Sequence, residues 1–257
     1  MGFSFQLLQL IEAIIIFIPL FIYLTKKSFI PWLSLLFYIG LGNLNQAMNI
    51  SRQYISIGFI LISILFAERK QLKQFLLFVG IAFLFHQSSI FALLLYPMLN
   101  LENRKYNKYA IMLIPAGFVI SRFLMKYIIP YISSAYYHQA EGREGSSLLV
   151  LLLCILACLV YISKRRNTTN INFAIRLTSL TIFFHLFVGQ IVAIGRIGYY
   201  FSVPLFLLLP NELIKLFSKR SRFVFTITAA ILISVYYIFL YLPGGASMTV
   251  PYRFGQL

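Results

Sequence analysis

Long apolar runs alternate with short polar breaks along the whole chain. Nine apolar stretches approach the length of a membrane crossing, which needs roughly 20 mainly apolar residues. They are residues 3–25, 28–42, 53–67, 74–98, 109–129, 147–163, 173–194, 197–210 and 223–242. The pattern predicts an all-α, polytopic integral membrane protein. No repeat or soluble segment interrupts it, so we expect a single transmembrane domain over residues 1–257.

Composition narrows the possible chemistry. Hydrophobic residues make up 60% of the 257 positions, which is more than a water-facing surface tolerates. All six acidic residues are Glu, and the absence of Asp argues against an Asp-rich metal site. We therefore predict no metal and no cofactor. Cys154 and Cys158, at i and i+4 in an apolar run, are predicted to be small packing residues.

The formal charge of +16 reflects membrane topology, not nucleic-acid binding, because the Lys and Arg residues cluster at the ends of apolar runs. If every stretch crosses once, the 22 basic residues divide 10 to 12 between the two sides. If residues 74–98 instead enter and leave on one face, the division becomes 16 to 6. The positive-inside rule favours this second topology, with about eight crossing helices and a re-entrant helical pair.

In this topology the re-entrant pair breaks at Phe85–Ser89, and non-helical backbone at membrane depth requires a covering protein wall or a water-filled cavity. His86 should therefore line a cavity. Cations retained on the outer side against the topological bias are candidates for binding an anion. They are Arg52, Arg122, Lys126, Arg143, Arg196 and Arg253.

Two of these arginines lie in short polar motifs between apolar stretches. Arg52, in Asn49-Ile-Ser-Arg-Gln53, is expected within a turn of a helix N-terminus, where a guanidinium, free amides and the helix dipole all suit phosphate. Arg196, in Gly195-Arg-Ile-Gly-Tyr-Tyr200, precedes a tyrosine pair. The plainer reading is that either one is an interfacial anchor.

Histidine supplies the candidate base. An imidazole has a pKa near neutrality, so His86 could deprotonate a hydroxyl, although a histidine in a span can equally serve a helix contact. Glu12 lies inside an apolar run and is the alternative base. His185 is predicted to be structural, and His138 on the 130–146 loop either contacts an acceptor or is simply solvated.

Five elements in order resemble one family. Asn49–Ser56, Glu68–Lys70, Phe85–Ser89, Arg196–Phe201 and the closing Pro251–Phe254 are similar to the EpsG family of Wzy-like exopolysaccharide polymerases. The resemblance covers nearly the whole chain.

Two departures from the family pattern accompany this resemblance. The family usually has Ala where Ser56 and Ser89 stand, a change between small residues. It also usually begins with a further span and a short Arg/Asp-containing motif. The expectation is therefore a short variant or a missing N-terminal span.

The resemblance implies a metal-independent glycosyltransferase that joins undecaprenyl-diphosphate-linked oligosaccharides into exopolysaccharide, capsule or O-antigen. The reaction would take place at the outer face of the bacterial cytoplasmic membrane. Under it, Arg52 and Arg196 stabilise the diphosphate leaving group, and His86 is the base in the same outer chamber. The predicted substrate-binding residues are Asn49, Gln53, Tyr199 and Arg143. Besides this substrate and the lipid bilayer, the expected partners are chain-length regulator or flippase proteins, with no nucleic acid.

The same helices, arginines and histidine also suit other functions. A transporter or flippase for lipid-linked glycans would share the helices and the arginines but would not need a base. A membrane acyltransferase of the same pathway would also use a histidine. A structural subunit of an export complex would need neither feature.

Overall fold

A computed structural model describes residues 3–101, 103–127, 145–187, 192–215 and 217–243. Within these ranges the chain is helical and contains no strand. The α-helices are α1 (Phe3–Lys27), α2 (Pro31–Gly40), α3 (Asn43–Asn49), α4 (Ser51–Glu68), α5 (Leu72–Phe85), α6 (Leu95–Asn100), α7 (Lys105–Tyr127), α8 (Gly145–Arg165), α9 (Thr169–His185), α10 (Val192–Ile197), α11 (Tyr199–Ile214) and α12 (Lys219–Tyr236). A 3₁₀-helix (Gln87–Leu94) joins α5 to α6, and a π-helical turn (Tyr237–Tyr241) continues α12.

The predicted all-α class is confirmed for the described residues, and in its described part each of the nine apolar stretches consists mainly of helix. Four helical segments there are long and apolar enough to cross a membrane: Gln6–Lys27, Ser51–Glu68, Ile194–Ile214 and Lys219–Tyr241. The number of crossings, about eight, stays a prediction. The chain forms two compact units, the first from residues 1–96 and 206–257 and the second from residues 97–205.

Helices α1 and α4 of the first unit run parallel. Pro19, inside α1, lacks the amide that would bond to the Ile15 carbonyl. Gly58 of α4 packs against this point, where an added Cβ would lie 3.4 Å from the Pro19 ring and 3.5 Å from the Ile15 oxygen. Further along, Lys27 pairs with Glu68, so the two helices also end together.

The return between these two parallel helices is made by α2 and α3. Asn211, near the end of α11, accepts hydrogen bonds from the amides of Phe29 (2.7 Å) and Ile30 (3.3 Å) at the start of α2. At the other end of α2, Gly42 has a φ of +79°, and the Tyr241 ring covers it so closely that a Cβ there would overlap the ring. The end of α11 and the beginning of α2 therefore lie at one end of the unit, and the π-helical turn lies at the other.

The chain reverses at His86. Helix α5 ends there because His86 is extended (φ −152°, ψ 113°), and the 3₁₀-helix follows at once. The returning arm brings the Tyr96 hydroxyl to the Lys70 carbonyl at 3.2 Å, and the Tyr96 ring lies 5.2 Å from that of Phe75. Residues 70 and 96 thus share one end of the unit, and the break predicted at Phe85–Ser89 is confirmed.

These directions separate the charges of the first unit. We call the end that holds the Lys27–Glu68 pair the basic end. The C-terminus of α11 also lies there, and so does the N-terminus of α12, because α12 runs away from this end. Nine of the ten described cations of this unit lie there: Lys26, Lys27, Arg69, Lys70, Lys73, Lys215, Lys219, Arg220 and Arg222. The tenth, Arg52, lies at the opposite end of α4.

The second unit is built around α9, which α7, α8 and α10 contact and whose residues from Ile171 to Ile182 are all buried. Helix α7 approaches closely at Gly117, where a Cβ would lie 2.6 Å from the Phe183 ring. Cys154 and Cys158 are free and exposed on α8. The prediction that they are packing residues is therefore wrong, since both cysteines are exposed.

Arg176 of α9 is buried, with 3% of its surface exposed. Its guanidinium donates to the carbonyls of Met98 and Leu101 (2.6 Å each) and Asn103 (3.1 Å), and to the Asn107 side chain at 2.9 Å. Three of these acceptors are backbone carbonyls at and after the end of α6, where the last carbonyls of a helix lack an intrahelical amide. The Asn103 carbonyl also accepts the Tyr106 amide at 3.2 Å. From the sequence, Arg176 is one of the 16 basic residues on the majority side, but its contacts show a structural role.

We predict that Arg176→Gln destabilises the protein strongly, because a glutamine amide cannot reach four acceptors and leaves buried carbonyls unsatisfied. The expected loss is about 2–5 kcal/mol, read as a lower thermal unfolding midpoint in detergent. Lys164→Gln, which removes an exposed charge from the same unit, should leave the midpoint within about 1 °C. Equal midpoints for the two variants would contradict this account of Arg176.

Candidate functional site

Arg52 is the second residue of α4, as the sequence predicted, and its side chain is exposed. No side chain caps this helix. The Ile50 carbonyl accepts hydrogen bonds from the amides of Gln53 and Tyr54, at 3.0 and 3.2 Å. The amides of Ser51 and Arg52 precede these two. They lie at the same helix end as the exposed Arg52 side chain, an arrangement that suits an anionic group.

His86 lies at the tip of the hairpin formed by α5 and the 3₁₀-helix, and its side chain is half-buried. Helix α5 has 14 residues and spans about 21 Å, and the 3₁₀ arm has 8 residues and spans about 16 Å. Both are shorter than the hydrocarbon core of a bilayer, roughly 30 Å. A hairpin entering a membrane from the basic end would therefore place His86 inside the core.

The imidazole has a defined partner. His86 Nδ1 lies 2.8 Å from the hydroxyl oxygen of Ser88. When Nδ1–H donates to this oxygen, the basic lone pair of the ring is on Nε2, which is then the proton acceptor. The sequence motif Phe85–Ser89 contains Ser88, but its role is not evident from the sequence. The only sequence feature that indicates it is a hydroxyl two residues after a histidine at a helix break.

The hairpin tip lies beside the face of α4 that carries Arg52. The Phe59 ring stacks on that of Phe85 with 5.6 Å between centroids, which places the hairpin tip beside Phe59. Arg52, Ser56 and Phe59 are spaced i, i+4, i+7 and so share a helix face. Seven residues separate Arg52 from Phe59, so the arginine lies about 10 Å further along the axis than the tip.

Two buried hydroxyls lie on these elements. The oxygens of Ser56, on α4, and Ser89, just past the tip, are buried and have no hydrogen-bond partner among the described residues. Such groups in native proteins are commonly satisfied by water. Each is therefore a candidate to bind an ordered water.

Arg196 and Tyr199 belong to the second unit. Arg196 is half-buried in α10, and Tyr199 is half-buried at the start of α11. The chain bends between these helices at Gly198, whose amide donates to the Gly195 carbonyl at 3.0 Å. A Cβ at Gly198 would lie 3.3 Å from Phe184, so the bend packs tightly on α9. The roles assigned to Arg196 and Tyr199 stay predictions.

The remaining candidates lie in different surroundings. Asn49 is exposed at the end of α3, and Gln53 is buried one residue after Arg52. Glu12, the alternative base, is half-buried in α1. Arg143, the 130–146 loop apart from its last residues, and the C-terminal motif lie outside the described residues. Among the residues that are described, no three His, Cys, Asp or Glu side chains gather where they could hold a metal.

Comparison with known proteins gives one result. The model of the EpsG family matches residues 1–254, nearly the entire chain. Neither the curated proteins nor the solved structures contain a match. The family and the long apolar helices together indicate a membrane protein of exopolysaccharide-related biosynthesis. By this match over almost its full length, the chain belongs to the EpsG family.

Proposed function

We propose that this protein is a polysaccharide polymerase that joins lipid-diphosphate-linked oligosaccharide repeats, with undecaprenyl diphosphate as the carrier, at the outer face of the bacterial cytoplasmic membrane. The observation that carries the proposal is an exposed arginine at the N-terminus of α4 and, beside the same face of α4, a hairpin tip that carries a histidine. Family membership supports the same pathway.

The topology follows from the charge separation of the first unit. Nine of its ten described cations lie at the basic end, which the positive-inside rule assigns to the cytoplasm. Arg52 then faces outward, and the hairpin enters from the cytoplasmic side with His86 at membrane depth. A base in that position needs a water-filled or protein-walled cavity, which the buried hydroxyls of Ser56 and Ser89 support.

In the proposed reaction, an acceptor sugar hydroxyl attacks the anomeric carbon of the donor glycan. The hydroxyl proton passes to His86 Nε2 while the bond from the anomeric carbon to the diphosphate oxygen breaks. The lipid diphosphate leaves with the electron pair, and the Arg52 guanidinium and the first amides of α4 stabilise its negative charge. The proton then returns from the imidazole to the diphosphate or to water.

The spacing along α4 suits this assignment. A base on the acceptor side and a cation on the leaving-group side of an anomeric carbon should stand on the order of 10 Å apart, given hydrogen-bond and near-attack distances of about 3 Å each. The axial offset between Arg52 and the tip is about the same. Arg196 is the second proposed diphosphate ligand, and Asn49, Gln53, Tyr199 and Arg143 are proposed to bind sugar or phosphate groups.

A flippase for the same lipid-linked glycan is the second candidate function. It would use the Arg52 helix end for the diphosphate but would have no use for a base held by a serine. The His86–Ser88 contact of 2.8 Å favours the polymerase.

We predict that His86→Ala and Arg52→Ala strains deliver only single repeat units to the cell surface, because proton transfer and leaving-group stabilisation each supply about 10²–10⁴-fold in rate. Glycan length on a gel is the measurement, with variant abundance checked by immunoblot. Arg52→Lys keeps the charge but loses the planar fork, so partial activity is expected.

His185→Ala and Arg220→Ala are the matched controls, one histidine and one arginine outside the proposed site, and both should give full-length polymer. Polymer of normal length from the His86→Ala strain would refute the base. Loss of even single repeats from the surface in both site variants would favour the flippase.

Ser88 is predicted to be a positioning residue for the imidazole. Ser88→Ala should lower the polymerisation rate about tenfold and shift its pH profile, because the tautomer with its proton on Nδ1 is no longer held. Ser88→Thr, which keeps the hydroxyl, should restore both. Ser89→Ala removes the neighbouring hydroxyl, which has no described partner, and should change the rate by less than about twofold. An unchanged pH profile in Ser88→Ala would count against the role.

Cysteine labelling tests the hairpin in the membrane. In a Cys154→Ser/Cys158→Ser background, Asn49→Cys should react with an impermeant maleimide in intact cells. Lys73→Cys and Lys108→Cys, before and after the hairpin, should react only after permeabilisation. Labelling of Lys108→Cys from outside would mean that residues 72–100 cross the membrane fully, and the proposed orientation of His86 would fail.

A further inference from the structure

An apolar slot opens on the first unit between α1, α4 and α5. Its volume is about 290 Å³, at the lower end of the range for ligand pockets. The walls come from Pro19 and Ile22 of α1, Ile62 and Phe66 of α4, and Phe78 of α5 among others. Its lining includes two charged residues, Lys26 and Arg69.

The packing of the three helices makes the slot. Helices α1 and α4 touch at Pro19 and Gly58 and meet again at the Lys27–Glu68 pair, so the lateral opening lies between these two contacts. The Phe66 and Phe78 rings stack with 5.3 Å between centroids and close the side that faces α5. Aromatic and branched side chains therefore line a narrow trough along the helices.

The two cations lie together at the basic end of this trough. Lys26 is in the last turn of α1, and Arg69 directly follows the end of α4. The neighbouring Glu68 is already paired with Lys27. Lys26 and Arg69 are both exposed, and neither forms an ion pair within the described part of the chain. The end of the slot is therefore positively charged.

From this combination we propose that the slot binds an anionic phospholipid, with an acyl chain along the apolar walls and the phosphate held between Lys26 and Arg69. Apolar walls exclude a nucleotide or a free sugar, whose hydroxyls would be buried without partners. The two cations favour a lipid with a negative headgroup over a zwitterionic one. Basic pockets beside helices at the cytoplasmic face are a recognised setting for such headgroups.

This site is separate from the proposed polymerase site. Arg52 and Arg69 lie at opposite ends of α4, whose 18 residues span about 27 Å. On the proposed topology the slot therefore opens toward the inner leaflet. Because Phe78 belongs to the arm that carries His86, a lipid in the slot would contact the hairpin and hold it against α4.

The test is lipid retention by the full-length protein purified in mild detergent. Native mass spectrometry and thermal unfolding are recorded with dioleoyl-phosphatidylglycerol and, separately, with dioleoyl-phosphatidylcholine. We expect phosphatidylglycerol to be retained and to raise the unfolding midpoint, and phosphatidylcholine to do neither. The double variant Lys26→Gln/Arg69→Gln should weaken phosphatidylglycerol binding about thirtyfold, from the strength of two basic contacts at a membrane surface.

Two further variants separate the slot from general electrostatics. Lys219→Gln/Arg220→Gln removes the same charge from the same basic end and should weaken binding by no more than about twofold. Ile62→Trp fills the trough and leaves both cations, so it should also abolish retention. The single variants Lys26→Gln and Arg69→Gln serve if the double variant fails to fold.

Three results would overturn the proposal. Equal losses in the two double variants would show non-specific attraction. Full retention by Ile62→Trp would show that only the headgroup binds at the surface. Preferential retention of undecaprenyl phosphate over phosphatidylglycerol would assign the slot to the carrier lipid of the substrate.

Discussion

The first unit depends on the reversal of the chain at His86, and the hydrogen bond from the Tyr96 hydroxyl to the Lys70 carbonyl shows that reversal. This bond marks the place where the hairpin arm comes back to the end from which it started. A helix that continued through His86 would carry the following chain to the opposite end and would bring the basic residues after it to the Arg52 side. The reversal thus keeps the charges separated and also provides a non-helical tip that carries an imidazole.

The polar groups around this reversal follow from the backbone. An extended residue at the end of α5 interrupts the ladder of intrahelical bonds, and a 3₁₀-helix resumes from it with shorter-range bonds. Such a break is stable in a membrane only beside protein or water. The stacked Phe59 and Phe85 rings supply a protein wall, and the nearby buried hydroxyls of Ser56 and Ser89 suit water. One backbone feature thus accounts for both the packing and the polarity of the tip.

The sequence was informative where a single local signal decided the structure. The apolar stretches predicted the helices, the polar run at Phe85–Ser89 predicted the break, and the position of Arg52 after a polar motif predicted a helix N-terminus. It was uninformative where distant residues meet. Nothing local to Arg176 shows that carbonyls at and after the end of α6 surround it. Likewise, Lys26 and Arg69 are seen to line one slot only once α1 and α4 are known to be parallel.

The arginines of this chain differ in function according to what their donors already contact. The Arg176 guanidinium donates to backbone carbonyls and one asparagine, and the residue is only 3% exposed. A phosphate could bind there only by displacing the contacts that hold α6 to α9. Arg52 is exposed at a helix start that no side chain caps, and an anion there adds interactions without breaking any that are described. Arg69 resembles Arg52 in exposure but borders an apolar slot, which selects a ligand with a hydrocarbon tail. We thus propose different roles for three guanidiniums with the same intrinsic chemistry: Arg176 holds the fold, Arg52 binds a diphosphate and Arg69 binds a lipid headgroup.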